Sequence, residues 1–375
     1  MLRWIQPIVF ITVLFCSHTL WPQYASFINK FENPALGIKK RLVVSLKQAM
    51  RSEYQNRVWI AYCIDVQKNR MTPMMYQTSL PTLRELLSSP NDAVSSRPKG
   101  KAAKLLTPEW SHNRLKLERS SDDKMAILLD FSIESGRPIL LRAQSIPMNS
   151  PFRLGYQELY WLGNVSHDES ISLLSDCFKE YTYIQLRKSL LSLLDLHDDT
   201  QRIVGIYQRI LGDDYSDDLK EACIFMLGQN RTAQSELVLS KYIIENKNSE
   251  LRRKAIMALS HAKTKPAFDV LSHVFKHEKD VQIRKDAMLS LGMMANEKSL
   301  PLLTTILLND KNSEMREFSV FVMGQIAHPK AETILTQIGR THPDMAIRQK
   351  ALNWLQRNNN QRAHQTSYPL FDDSD

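Results

Sequence analysis

Seven ten-residue stretches of this chain align without gaps: LGYQELYWLG from Leu154, LRKSLLSLLD from Leu186, LKEACIFMLG from Leu219, LRRKAIMALS from Leu251, IRKDAMLSLG from Ile283, MREFSVFVMG from Met315 and IRQKALNWLQ from Ile347. Their starts lie 32, 33, 32, 32, 32 and 32 residues apart. A fixed period of about 20–50 residues is the mark of stacked supersecondary units, none of which buries its apolar face alone. The chain is therefore expected to fold as a rod of like pieces over most of its length.

Each stretch reads as a helix, because the apolar positions fall at the anchor, four to five residues on and eight residues on, one face of a 3.6-residue period. Three residues before the anchor stand Ser216, Asn248, Asp280, Asn312 and Asp344, side chains that accept from free N–H groups at a helix start. Gly163, Gly228, Gly292 and Gly324 follow the last apolar position and suit either a close helix contact or a nearby terminus. A second apolar set 13, 12, 9 and 8 residues before the anchor predicts a preceding helix: Leu173, Leu174, Cys177 and Phe178 in one unit, Val270, Leu271, Val274 and Phe275 in another. Two helices per period make an α-solenoid. The fold class expected is mainly α, about seven helical hairpins over residues 150–357, preceded by a small β-rich N-terminal module.

The pattern Asp280-x-x-Ile283-Arg284-x-x-Ala287, repeated as Asn312-x-x-Met315-Arg316 and Asp344-x-x-Ile347-Arg348, resembles HEAT repeats, and its short period is similar to the HEAT-like class named after phycobilisome lyases. The resemblance implies a fold shared by scaffolds, adaptors, lyases and a hydroxylase. Deoxyhypusine hydroxylase is known for His-Glu pairs two and three residues after the anchor, where they hold iron. Those columns here hold Lys188-Ser189, Glu221-Ala222, Arg253-Lys254, Lys285-Asp286, Glu317-Phe318 and Gln349-Lys350, so no metal is expected there. The chain also carries no motif specific to bilin lyases.

Other chemistry is equally sparse. The eleven glycines come no closer than Gly205 and Gly212, so no GxGxxG and no Walker A loop can be written. Cys16, Cys63, Cys177 and Cys223 are too widely separated for zinc-ligand pairs. Cys177 and Cys223 fall in core columns, and Cys63 lies in the strand-like VWIAYCIDV. His273 and His277 lack an HExxH frame and read as solvent-facing. The basic column Arg187, Lys220, Arg252, Arg284, Arg316 and Arg348 is expected to tie neighbouring units together rather than to track phosphates, and no nucleic acid is expected. The chain is expected not to be an enzyme, with no catalytic residue, no metal and no cofactor.

One column departs from a simple core. Six residues past the anchor points about 240° round the helix, nearly opposite the buried face. Tyr160, Phe225, Met257, Leu289 and Phe321 occupy it, with Ser192 and Asn353. An exposed apolar stripe there, with Arg253 and Lys285 beside it, predicts a partner-binding groove for a protein or peptide; the alternative is that curvature packs these side chains between neighbouring helices. The function expected is a non-enzymatic protein-interaction scaffold or adaptor. The alternative from another class is an enzyme or lyase-like accessory handling a modified peptide or prosthetic group.

Residues 1–25 read as a signal peptide or an N-terminal membrane anchor: Arg3, the apolar run Ile8–Cys16, then Ser17, His18 and Thr19, with Trp4 and Trp21 as interfacial flanks. Export, to a periplasmic location, is the expectation. Residues 40–148 read as the β-rich module, from VWIAYCIDV at 58–66, KMAILLDF at 124–131 and RPILLRAQSIPM at 137–148, with LRELL after Ser79 and Pro81 as a short helix and 88–111 as a mobile loop. Residues 358–375 read as a disordered tail. Residues 1–150 hold 21 Lys/Arg against 11 Asp/Glu, whereas 151–375 hold 28 against 29. That excess predicts a weak contact of the N-terminal half with an anionic membrane surface, or else a merely solvated basic face.

Overall fold

The β-branched and aromatic runs of the N-terminal half pair into one sheet. The structure is a computed structural model, and it describes residues 28–51, 56–66, 82–88, 124–150 and 157–366. Strands β1 (Ile28–Lys30), β2 (Arg57–Asp65), β3 (Lys124–Ser132), β4 (Ile139–Pro147) and β5 (Glu158–Asn164) lie in the order β1-β5-β2-β3-β4. β2 pairs antiparallel with β3, and β3 with β4, while β5 inserts parallel between β1 and β2. Helix α1 (Ile38–Ala49) covers one face and α2 (Leu83–Ser88) the other.

Twelve helices follow: α3 (His167–Glu180), α4 (Ile184–Leu194), α5 (Thr200–Gly212), α6 (Asp217–Asn230), α7 (Ala233–Glu245), α8 (Ser249–Ser260), α9 (Lys265–His277), α10 (Val281–Ala295), α11 (Leu300–Asn309), α12 (Ser313–Gln325), α13 (Pro329–Thr341) and α14 (Met345–Thr366). They form six antiparallel hairpins among the described residues. The anchors Leu186, Leu219, Leu251, Ile283, Met315 and Ile347 are all buried. Of the expected caps, Asn248, Asp280, Asn312 and Asp344 accept from backbone N–H groups at 2.8–3.4 Å; Ser216 holds the position without a side-chain bond.

Two expectations are corrected. The stretch from Leu154 is not a repeat helix: residues 158–164 are β5, so the hairpins number six and the solenoid begins at α3. Leu159 and Trp161 face one side of the sheet and Tyr160 and Leu162 the other, all buried, as a central strand requires and an amphipathic helix does not. This stretch has Pro151 where five of the others have Ser, Asn or Asp and Gly155 where the next six have Arg or Lys. The β module accordingly runs from Ile28 to Asn164, wider than 40–148, and includes a helix at its start. The expected tail at 358–375 is corrected as far as Thr366, because α14 continues there through residues that contain neither Pro nor Gly. The segment 1–25 with Cys16, residues 89–111 of the loop, Ser79 and Pro81, and residues 367–375 lie outside the described residues.

Sheet and solenoid share one interior. Val58, Ile60, Tyr62, Ile127, Leu129 and Leu162 join Ile171, Leu174, Leu190 and Leu194 in a continuous apolar cluster. Tyr62 Oη and Ser170 Oγ bond at 2.9 Å across the seam, and α4 packs on β4. Glu169 of α3 accepts from the Ile38 N–H at 3.0 Å and pairs with the buried Arg41, fastening α1 to the first hairpin. The sheet therefore closes the end of the rod, which stacked repeats need for solubility. No helix among the described residues is long and apolar enough to cross a membrane.

At the first hairpin, His197 is fully buried, its Nδ1–H shared between the Leu193 and Leu194 carbonyls at 3.0 and 3.2 Å. Burial, reinforced by the His167 ring 5.3 Å away, lowers its pKa from 6.5 to about 4. The unfolded chain takes up this proton near pH 6.5 and the folded chain does not until about pH 4, so folding stability falls as pH drops through that window. His197→Gln is expected to flatten the acid side of the stability profile by up to about 3 kcal/mol, read from denaturant unfolding at pH 7, 5.5 and 4; an unchanged difference between variant and parent across those pH values would refute the assignment.

Candidate partner-binding face on the second helices

The second helix of each hairpin (α4, α6, α8, α10, α12 and α14) projects three kinds of column outward from the core. One residue past the anchor is the basic column, and its role is structural. Arg187 Nε donates to the Phe178 and Tyr181 carbonyls at 3.1 and 2.9 Å. Arg252 and Arg284 donate to Ile243 and Phe275 carbonyls at 2.8 and 3.2 Å and ion-pair with Glu278 and Asp310, which open the next unit's loop. Burial opposes ionisation of Glu278, yet backbone N–H groups of Asp280 and Lys279 together with Arg252 hold its pKa below the usual carboxylate value. Arg187, Arg252 and Arg284 thus satisfy the C-terminus of the preceding helix, and Arg252 and Arg284 also clamp two units.

Two and three residues past the anchor runs a ladder that the sequence reading did not assign. Glu221 pairs with Lys254 at 2.6 Å and Arg253 with Asp286 at 2.5 Å; Glu317 pairs with Lys350. At the step after Ile283, Lys285 lies 5.4 Å over the Phe318 ring and also pairs with Glu314. Three rungs join oppositely charged side chains at the second position of one unit and the third of the next, whereas Lys188 and Lys285 are paired instead by Asp218 and Glu314 at the start of the next second helix. The signal lies in those two columns, where Glu221, Arg253 and Glu317 precede side chains of opposite sign at the third position of the next unit.

Six past the anchor, the apolar column is exposed for the most part. Phe225 is 56%, Met257 49% and Phe321 40% exposed, and Leu289 is half-buried. Ser192 and Asn353 flank them, both exposed. Tyr160 does not belong to this face: it sits in β5, 1% exposed, stacked on Phe31 and donating to Glu158 at 2.8 Å. Arg253 and Lys285 border the stripe but are engaged in the ladder. At its C-terminal end the stripe opens into a cleft of ≈ 370 Å³ lined by Lys285, Phe318, Phe321, Asn353, Trp354 and Arg357 among others. Phe321 stacks on Phe318 at 5.5 Å and meets Trp354 edge-on at 5.9 Å, an aromatic cluster with one end open to solvent.

The glycines nine past the anchor explain the close spacing of this layer. A Cβ built on Gly228 would lie 2.9 Å from Ala258 Cβ, and one on Gly292 2.5 Å from Val322 Cγ1; at Gly324 it would enter the Trp354 indole. The close-contact reading is therefore the right one for these three, while Gly163 sits in β5 at φ +80° beside Glu32, where the backbone itself requires glycine. Neighbouring second helices approach far more closely than neighbouring first helices, so the stack bends toward the second-helix side.

The other candidate groups have no part in this face. Cys63, Cys177 and Cys223 are buried free thiols, pushed by burial to about 11, 12 and 12, the opposite of an activated nucleophile. His273 and His277 are exposed, with ring centres 4.4 Å apart. Among the described residues, no group of three His, Cys, Asp or Glu is placed to hold a metal ion.

A sequence model described as HEAT repeats matches residues 206–292 and 238–317. No curated protein matches the chain. Among solved structures, human deoxyhypusine hydroxylase in complex with glycerol is similar at 15% identity over 56% of this chain and 92% of its own, with TM-score 0.31. A phycocyanin lyase complex from Nostoc sp. is similar at 18% identity over 51% and 76%, TM-score 0.32. Lipovitellin is similar at 11% identity over 64% of this chain and 33% of its own, TM-score 0.40. None is near enough in sequence or shape to bring an activity with it.

Proposed function

We propose that this chain, a HEAT-repeat protein, is a non-enzymatic scaffold that holds a protein or peptide along the face of its second helices. The observation that carries this reading is the exposed column Phe225, Met257, Leu289 and Phe321, continuous through four hairpins on the inner side of the bend and ending in the Phe318, Phe321 and Trp354 cleft. Contiguous apolar surface of this kind is costly in water and characteristic of binding sites. The first-helix layer lacks such continuity: Ile244 and Leu308 are exposed seven residues before their anchors, but Lys276 and Arg340 alternate with them. The ladder beside the stripe is internally neutralised, so a ligand is selected by apolar and aromatic side chains rather than by charge.

A photocrosslinking residue placed at Phe225, Met257 or Leu289 in cells is expected to trap the same partner from all three positions, and one placed at Lys276 or Ile244 is not. Adducts that do not differ between the two layers would end the proposal. In the purified protein, Phe225→Ser with Met257→Ser is expected to weaken capture of that partner at least thirtyfold, as loss of two central apolar contacts does, and to change thermal stability little, since both side chains are half in water already. A large loss of stability would instead mean that the column is packed core. Intact mass of the purified protein equal to that of the polypeptide is expected; an added mass would favour the reading in which a modified peptide or prosthetic group is handled.

A further inference from the structure

The outer face of α1 is the second surface with an unexplained composition. Its inner face is occupied: Ile38, Arg41, Ser45, Leu46 and Ala49 are buried against the sheet and α3. On a 100° wheel the opposite crest carries Lys40 and Lys47, continued by Arg51 just past the helix, and it is flanked by Val43 and Val44, 49% and 45% exposed, with Met50 at the end. The helix contains no Asp or Glu. Its ion pairs among the described residues run to α3, where Lys39 pairs with Asp176 and Arg41 with Glu169. Part of the basic excess of the N-terminal half is therefore structural: Arg41, in the dense Lys39-Lys40-Arg41 run, is buried and cannot meet a partner.

What remains outside is a row of three cations bordered by aliphatic side chains. Cations reaching headgroups and short apolar side chains reaching the acyl boundary are what an interfacial helix presents. The chain that leads into this region reinforces the match. Residues 1–27 lie outside the described structure, carry the apolar run Ile8–Cys16 with Trp4 and Trp21, and enter β1 at Ile28, ten residues before α1. Any membrane association of that segment brings the sheet end of the molecule, and not the C-terminal cleft, to the bilayer.

We propose that the outer face of α1, through Lys40, Lys47 and Arg51 with Val43 and Val44 between them, rests on an anionic lipid bilayer and orients the solenoid away from it. The proposal is independent of the partner-binding face, whose apolar column begins at Phe225 in the second hairpin.

The test uses the full chain with Val43→Cys in a Cys16→Ser background, the buried Cys63, Cys177 and Cys223 being left in place, and a polarity-sensitive dye on the new thiol. Vesicles containing phosphatidylglycerol are expected to shift the dye emission toward that of an apolar medium. Vesicles of phosphatidylcholine alone are not, and about 0.5 M salt is expected to reverse the shift by screening. Lys40→Glu, Lys47→Glu and Arg51→Glu together are expected to raise the lipid concentration for half-maximal shift at least a hundredfold, at about one kcal/mol per cation removed. Should the triple variant fail to fold, each single reversal is expected to raise it about fivefold by the same arithmetic. Vesicle binding without an emission change would mean that residues 1–27 tether the protein while α1 stays in water. An equal shift on neutral vesicles would mean that charge plays no part. Either result overturns the proposal.

Discussion

Gly292→Ala is expected to destabilise the protein by about 2 kcal/mol, and Val322→Ala in the same chain to give back most of that loss. The sign is what makes the experiment decisive. In the middle of an exposed helix, replacing glycine by alanine stabilises by roughly 0.5–1 kcal/mol, because glycine loses more freedom on folding. Gly292 also lies within a helix, but it is buried, and a Cβ there would stand 2.5 Å from Val322 Cγ1 of the next second helix, which forces that helix to move or the valine to leave its rotamer. Removing the valine's methyl groups makes the room, at the cost of a small cavity elsewhere. Denaturant unfolding of the parent, the two single variants and the double variant gives the coupling directly. An interaction near zero, or a stabilised Gly292→Ala, would mean that the second helices are not held together at this rung.

The second large effect is expected at the other end of the rod. Leu129, fully buried on β3, faces the same interior as Ile171 and Leu190, and Leu129→Ala is expected to cost about 2–5 kcal/mol. Its signature distinguishes a shared interior from two adjoining ones. If the sheet is the structural end of the solenoid, amide exchange in α3 and α4 accelerates together with exchange in β2 and β3, since the hairpins nearest the sheet lose their covering. Faster exchange confined to the strands would show that the sheet unfolds alone and covers nothing.

The repeat period made the second helices from α4 onward legible, because all carry an anchor and a cation at fixed offsets and most carry a cap and a small residue as well. β5 was misread for a related reason. Its Leu, Tyr, Trp and Leu matched the apolar spacing by chance of composition, while the positions that encode a helix start and an inter-unit clamp held Pro151 and Gly155. Capping and clamping columns were the better witnesses, and apolar spacing alone does not distinguish a strand buried on both faces from a helix. The sheet's three longer hairpin strands were readable from β-branched runs, but the parallel insertion of β5 between β1 and β2 was not, since long-range pairing leaves no local mark. The exposed column was readable by angle alone. Trp354 was missed because its role depends on the glycine it covers, Gly324, one unit earlier.

The seam of small residues under the second helices also gives the molecule a mechanical character. Two layers joined along their length, one drawn in at Gly228, Gly292 and Gly324 and the other left wider, behave like a bimetallic strip. Whatever wedges itself between the inner helices must uncurl the arc, and whatever flattens the arc must loosen its hold on that occupant, because one free energy governs both. Should the proposed partner bind along the inner surface, tension on the rod and affinity there would be linked, and straightening the rod would be expected to weaken the hold.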